Sequence, residues 1–164
     1  LNQILPKIIK HPQTGFIKSR NIYDSILNIN TVFEYSPKSI VLTIDFRKAF
    51  DSVDHEYLTK VLKQMKFPDQ FINIITKFLD IGTAKIKNGN MLSKEFEIRN
   101  GVRQGDPLSG PLFAIAIEPF LAALRAIKET FAPIIKNKYF TYTAYADDLT
   151  IFISDVTVKV KVFV

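Results

Sequence analysis

Two apolar runs, Tyr139–Tyr145 and Leu149–Ile153, are separated only by Ala146-Asp147-Asp148. Two strand-like segments joined so briefly are expected to lie antiparallel, with the acids at a tight turn between them. The acids make this turn unusual. Neighbouring carboxylates disfavour each other's ionisation unless a cation compensates, and Asp is a poor strand residue. Asp is also frequent in hairpin turns. Taken alone, Tyr145-Ala146-Asp147-Asp148 reads equally as turn chemistry or as a metal site.

A second carboxylate narrows the choice. Ser39–Phe46 is β-branched and nearly all apolar, which predicts a buried central strand with Asp45 at its C-terminal end. Asp45 could cap the following helix, but Asp51, Ser52 and Asp54 are better placed for that. It is therefore free for another role. A strand-end Asp and a hairpin Asp pair can present three carboxylates on one side of a sheet. Such hard oxygen ligands suit Mg²⁺, which keeps room for water and phosphate groups. Two such ions about 4 Å apart favour in-line phosphoryl transfer.

The remaining pattern predicts a mixed α+β chain with a largely antiparallel sheet. Helical spacing marks residues 1–11, interrupted by Pro6, and a second helix with Ile22, Ile26, Leu27, Ile29 and Phe33 on its apolar side. A helix is expected over about Asp54–Met65, and another opens at Pro68-Asp69. Ala84–Lys87 and Glu95–Ile98 alternate as short strands around Asn88-Gly89-Asn90. Gly101–Pro111 is a loop leading into an apolar helix from Leu112 to about Lys128, which Pro119 can kink. The tail from Val156 is strand-like.

The absence of Cys excludes disulfide scaffolds, thiolate zinc sites and Cys nucleophiles, and two His are too few for a His-rich metal site. No apolar run of about 18 residues is evident, so no membrane partner is expected. The net charge of +6 permits a polyanionic partner without requiring one. Leu1 and the closing Lys161-Val162-Phe163-Val164 suggest a chain cut from a longer one.

Several segments match one family in order. Asp45-Phe46-Arg47-Lys48-Ala49-Phe50-Asp51-Ser52-Val53-Asp54-His55 resembles motif A of reverse transcriptases, most closely those of non-LTR (LINE-type) retrotransposons. Gly101-Val102-Arg103-Gln104-Gly105-Asp106-Pro107-Leu108-Ser109 resembles motif B, and Tyr145-Ala146-Asp147-Asp148 resembles motif C. Upstream, Gln13-Thr14-Gly15-Phe16, Arg20-Asn21-Ile22 and Asp24 resemble the first fingers motif of the same branch.

The resemblance implies a right-hand polymerase fold: an antiparallel palm sheet backed by helices, with fingers elements, truncated before the thumb. Fingers would fall at about 1–38 and 66–100, and palm at about 39–65 and 101–164. It implies an RNA-directed DNA polymerase using an RNA template, a DNA primer and deoxynucleoside triphosphates. Asp45, Asp147 and Asp148 would hold two Mg²⁺ ions, or Mn²⁺ in their place, with the Phe46 carbonyl as a further ligand. Asp148 would be the weakest direct ligand of the three. Phe50 would be a steric gate against the ribose 2′-hydroxyl, where packing is the ordinary role of a Phe. Arg103, Gln104 and Gly105 would line the incoming nucleotide. Gly15, Phe16 and Arg20 would meet template and nucleotide, and Tyr145 would pack near the primer end; Gly15 alternatively serves only the turn and Arg20 only a solvated face. An element that integrates implies an intracellular protein, nuclear with a cytoplasmic ribonucleoprotein stage.

Two departures stand out. Gly110 occupies a position where Pro is common in this branch, and the chain ends soon after Ile153, without thumb or endonuclease. The alternatives are a nucleic-acid-binding fragment without polymerase activity, a group II intron-type reverse transcriptase, or a viral RNA-copying enzyme.

Overall fold

The computed structural model describes residues 1–80, 82–103 and 105–154. Packing divides the chain into two compact units, Leu1–Arg47 with Ile117–Val164, and Lys48–Ala116. The first unit opens with helices α1 (Leu5–Ile8) and α2 (Ile22–Tyr35) and strand β1 (Ile40–Ile44). The second holds α3 (His55–Gln64), α4 (Asp69–Asp80) and short strands β2 (Thr83–Ala84), β3 (Lys87–Asn88), β4 (Met91–Leu92) and β5 (Phe96–Glu97). Helix α5 (Ser109–Ala126) carries the chain back to the first unit. There follow α6 (Lys128–Phe131), β6 (Ile134–Ile135), β7 (Lys138–Tyr139), β8 (Tyr142–Tyr145) and β9 (Asp148–Ile153). Every ladder between these strands is antiparallel, as the α+β reading requires. The strand-like tail from Val156 lies outside the described residues.

In the first unit the sheet order is β1-β9-β8. The hairpin of β8 and β9 forms as expected, with Tyr145 opposite Asp148. The expectation for β1 needs correcting. It lies at the sheet edge among the described residues, and Ile40 and Leu42 are exposed. Strand β9 takes the centre, with Leu149 and Phe152 fully buried. An apolar run records burial propensity; it does not say which strand has neighbours on both sides.

Helix α2 begins on a capping box, in which Asn21 accepts from the helix backbone and Asp24 accepts from the Asn21 amide. Its apolar face is not its buried face. Ile22, Ile26, Leu27 and Phe33 are exposed, whereas Ser25 and Val32 are buried. Ser25 turns inward because its hydroxyl bonds that of Thr14 at 3.0 Å. Val32 joins Ile135 and Phe152 in a core cluster flanked by Ile29, Val41 and Phe140.

The second unit follows local sequence signals closely. Asp54 caps α3, its carboxylate accepting the Tyr57 amide at 2.6 Å. Leu58, Val61 and Leu62 are buried on α3, and Ile72, Ile75 and Leu79 on α4. The expected hairpin is an arm of two short ladders, β2 with β5 and β3 with β4, turning at Gly89 with φ +57°.

Helix α5 starts earlier than expected. Pro111 fits because amides of the first helical turn have no intrahelical partner, and the Leu112 amide makes the turn's bond to Leu108. This helix is long and apolar enough to cross a membrane, contrary to the expectation that no such run exists. With 61% of it buried inside the protein, the core accounts for its composition.

Near its end, α5 carries an ionisable network in the first unit. Arg125 donates to Glu118 Oε1 and to the Tyr142 hydroxyl. Burial pushes the Tyr142 hydroxyl up to about 12. Burial also raises the Glu118 pKa above its ordinary 4.5, outweighing the attraction of Arg125. The folded state thus holds the Glu118 proton to higher pH than the unfolded chain does. Its stabilising contribution is complete below pH 4.5 and is lost as pH rises through the raised value. Glu118→Gln, which mimics the protonated acid, should melt at a higher temperature than the wild type at neutral pH. The gap should close toward pH 4.5; calorimetry across that range would refute the effect by finding a gap that widens in acid.

Candidate functional site

The β1–β9 ladder ends with Ile44 opposite Leu149. Asp45 follows Ile44, and Asp148 precedes Leu149, at that end of the ladder. The β8–β9 hairpin adds Asp147 at its two-residue turn. Asp45, Asp147 and Asp148 therefore lie at the same end of the sheet. Asp45 and Asp148 are exposed and Asp147 is partly so. Among the described residues, no three His, Asp or Glu side chains form a group that could hold a metal ion. The donor chemistry still fits Mg²⁺: exposed carboxylate oxygens at a sheet end, with the Phe46 carbonyl next in the chain. The Phe46 ring meets Phe120 edge-on at 6.4 Å, which anchors the backbone beside Asp45.

The Asp147 turn is locked from the far end of the sequence. Residues Pro12–Gly15 run beside the outer edge of β8, where the Thr14 amide donates to the Ala144 carbonyl at 2.8 Å. Gln13 is fully buried. Its Oε1 accepts the amides of Gly15, at 2.8 Å, and Ala146, at 3.1 Å. Its Nε2 donates to the Ala146 carbonyl at 3.1 Å. Ala146 has φ +57°, a left-handed conformation that a residue with a Cβ adopts reluctantly.

Gly15 is buried beneath this turn. A Cβ there would lie 2.2 Å from the Ala146 nitrogen. Gly15 thus serves a turn, the alternative role expected of it: only glycine lets the loop approach the Ala146 turn so closely.

Phe16 and Tyr145 are half exposed and line one groove of about 550 Å³, together with Lys18, Arg20 and Asn21. Arg20 does not sit on a solvated face, the second of its two expected roles. Its guanidinium donates to the carbonyls of Gln13 and Ile9, both at 2.6 Å, and of Lys10 at 3.2 Å. It braces the loop carrying Gln13 and Gly15. Its pKa is lowered by burial, against the attraction of Glu118 and Tyr142.

The other candidates belong to the second unit. Phe50 is half-buried and stacks on Phe113, centroids 4.6 Å apart and rings 18° from parallel. Its backbone is tied to the segment resembling motif B: Val102 donates to the Phe50 carbonyl and Gly101 to that of Val53, each at 2.8 Å. Gly101, with φ +92°, lies too close to Asp51 for any side chain. Arg103 is exposed, and Gly105 has φ +88° with open space around it. Asp106 shapes this loop, accepting the Leu108 amide at 2.8 Å. Gln104 lies outside the described residues. On the arm, Lys85 pairs with Glu95 at 3.5 Å and Arg99 with Glu97 at 3.3 Å.

Reasoning from sequence missed Gln13 as a site residue. The available signal was a long polar side chain beside Gly15, but its partner lies 133 residues away.

A family model described as "Reverse transcriptase (RNA-dependent DNA polymerase)" matches residues 1–162. The chain is 32% identical over 94% of its length to the "Transposon TX1 uncharacterized 149 kDa protein" of Xenopus laevis. It is 28% identical over 85% of its length to the Pol polyprotein of the R2DM retrotransposable element of Drosophila melanogaster. It spans only 12% and 13% of those two proteins. Among solved structures, apo telomerase of Candida tropicalis, truncated from its C-terminal domain, superposes with a TM-score of 0.65. That match covers 94% of this chain and 33% of the other at 14% identity, so it speaks for the fold alone.

Proposed function

The chain belongs to the reverse transcriptase (RNA-dependent DNA polymerase) family, and on that premise we propose that it is the RNA-directed DNA polymerase domain of a non-LTR retrotransposon. It would add deoxynucleotides to a primer 3′-hydroxyl on an RNA template, with loss of pyrophosphate. One observation supports this reading: the two antiparallel ladders of the β1-β9-β8 sheet end together, next to Asp45, Asp147 and Asp148 in the chain. In it the β1-β9-β8 sheet belongs to the palm, and the N-terminal loop and the arm belong to the fingers.

Asp45, Asp147 and Asp148, with the Phe46 carbonyl, would hold two Mg²⁺ ions. Such ions supply charge stabilisation for the attacking and leaving oxygens. The chain's own residues position the reactants. Phe16 and Tyr145 offer aromatic faces in one groove, suited to stacking bases at about 1–3 kcal/mol each. Arg103 and Gly105, with Gln104 between them, would receive the nucleotide.

Primer extension on an RNA template with Mg²⁺ and deoxynucleotides tests the reading. Templated products support it. A folded protein that binds primer–template and extends nothing supports the alternative, a binding fragment.

Phe50 is assigned as the sugar gate. Phe50→Ala should raise incorporation of ribonucleotides relative to deoxynucleotides by about tenfold or more. It should also cost about 1 kcal/mol through loss of the stack on Phe113. Unchanged sugar selectivity, measured as a ratio of kcat/KM values, would reduce Phe50 to packing.

A further inference from the structure

We propose that Gln13 is a positioning residue for the carboxylate site, holding the backbone from which Asp147 and Asp148 project. This deepens the polymerase reading and rests on it.

Ala146 adopts a left-handed conformation within a two-residue turn. An uncommon backbone conformation persists only where its surroundings over-determine it. Gln13 does this with one carboxamide, which grips both the N–H and the C=O of Ala146. The orientation of the amide is dictated by its partners. Oε1 faces two N–H donors and Nε2 faces a carbonyl, so the reverse orientation would lose all three bonds. Ala146 is buried, at 4% exposure, so its polar groups have little recourse to water if Gln13 is removed.

The grip is itself braced. Gly15 donates to Gln13 Oε1, and Arg20 donates to the Gln13 carbonyl. Thr14 bonds the Ala144 carbonyl through its amide and through its hydroxyl, at 2.9 Å. Gln13 contributes no carboxylate and lies away from solvent. Its effect on the reaction passes through the turn.

Gln13→Met tests this, because Met keeps the length and volume of Gln and removes all three bonds. Leu58→Ala, in the fully buried core of α3, serves as a control for lost stability. Mn²⁺ binding is followed by loss of the free-ion EPR signal, with Asp147→Ala defining the site, alongside thermal melting and primer extension. The expected result is Mn²⁺ affinity weakened by about tenfold in Gln13→Met. Leu58→Ala should lower the melting temperature and leave Mn²⁺ affinity unchanged. Unaltered Mn²⁺ affinity in Gln13→Met, or no Asp147-dependent binding in the wild type, overturns the proposal. A wild type that binds Mn²⁺ through Asp147 but extends no primer overturns the polymerase reading and leaves the positioning role of Gln13 standing.

Discussion

Asp147→Ala should abolish primer extension while leaving the protein folded. Asp147 occupies the tip of the β8–β9 hairpin and is partly exposed, so little packing is lost with its carboxylate. Surface changes of this kind usually move stability by about 0.5 kcal/mol or less. The chemistry has no such tolerance. In the proposed two-metal reaction, stabilisation worth several kcal/mol would rest on charge held at the phosphate, and each 1.36 kcal/mol is tenfold in rate, so a loss of about three orders of magnitude or more is expected. Single-turnover extension and a melting curve on the same preparation separate the two effects. Metal-dependent synthesis that survives Asp147→Ala would sink the site assignment.

Gly15→Ala should be nearly as damaging to activity for a different reason. The new methyl would lie 2.2 Å from the Ala146 nitrogen and 3.0 Å from the Tyr145 carbonyl carbon. These are backbone atoms, which cannot rotate aside, so the loop or the Asp147 turn must move. Forced overpacking of this kind costs about 3 kcal/mol. A displacement of about 1 Å at reacting groups lowers rates by about a hundredfold. Gly89→Ala is the control. Gly89 has a left-handed φ of +57° but nothing within 4 Å, so only the conformational cost, about 1–2 kcal/mol, applies. Extension should fall in Gly15→Ala and persist in Gly89→Ala. Equal activity in the two variants would show that the turn tolerates displacement.

The two variants mark where sequence was legible. Features set by neighbours in the chain could be read directly. Asp54 caps its own helix, Gly89 turns its own hairpin, and Asp147-Asp148 follow strand residues that pair with each other. Asp45 was legible as well, because a charged residue ending an apolar strand demands a reason. What escaped depends on distant partners. Apolar content alone could not tell that β1 would be an edge, nor that α2 would bury Ser25 in place of its larger apolar residues. Arg20 read as either a nucleic-acid contact or a solvated charge because its charge was visible and its carbonyl partners were not. Gly15 and Gln13 belonged to a recognisable motif, yet what they pack against and bond is the distant Ala146 turn.

The bond between Gln13 and Ala146 also bears on how the protein is made. It joins residues 133 apart, and contacts of such separation form late because a large loop must close first. A ribosome releases the N-terminal loop long before the carboxylate turn exists. Pro12–Gly15 must therefore wait, unpaired, until β8 emerges to receive them. The chain can acquire helices α2, α3 and α4 during synthesis, but the Ala146 turn gains its side-chain grip only with that last docking.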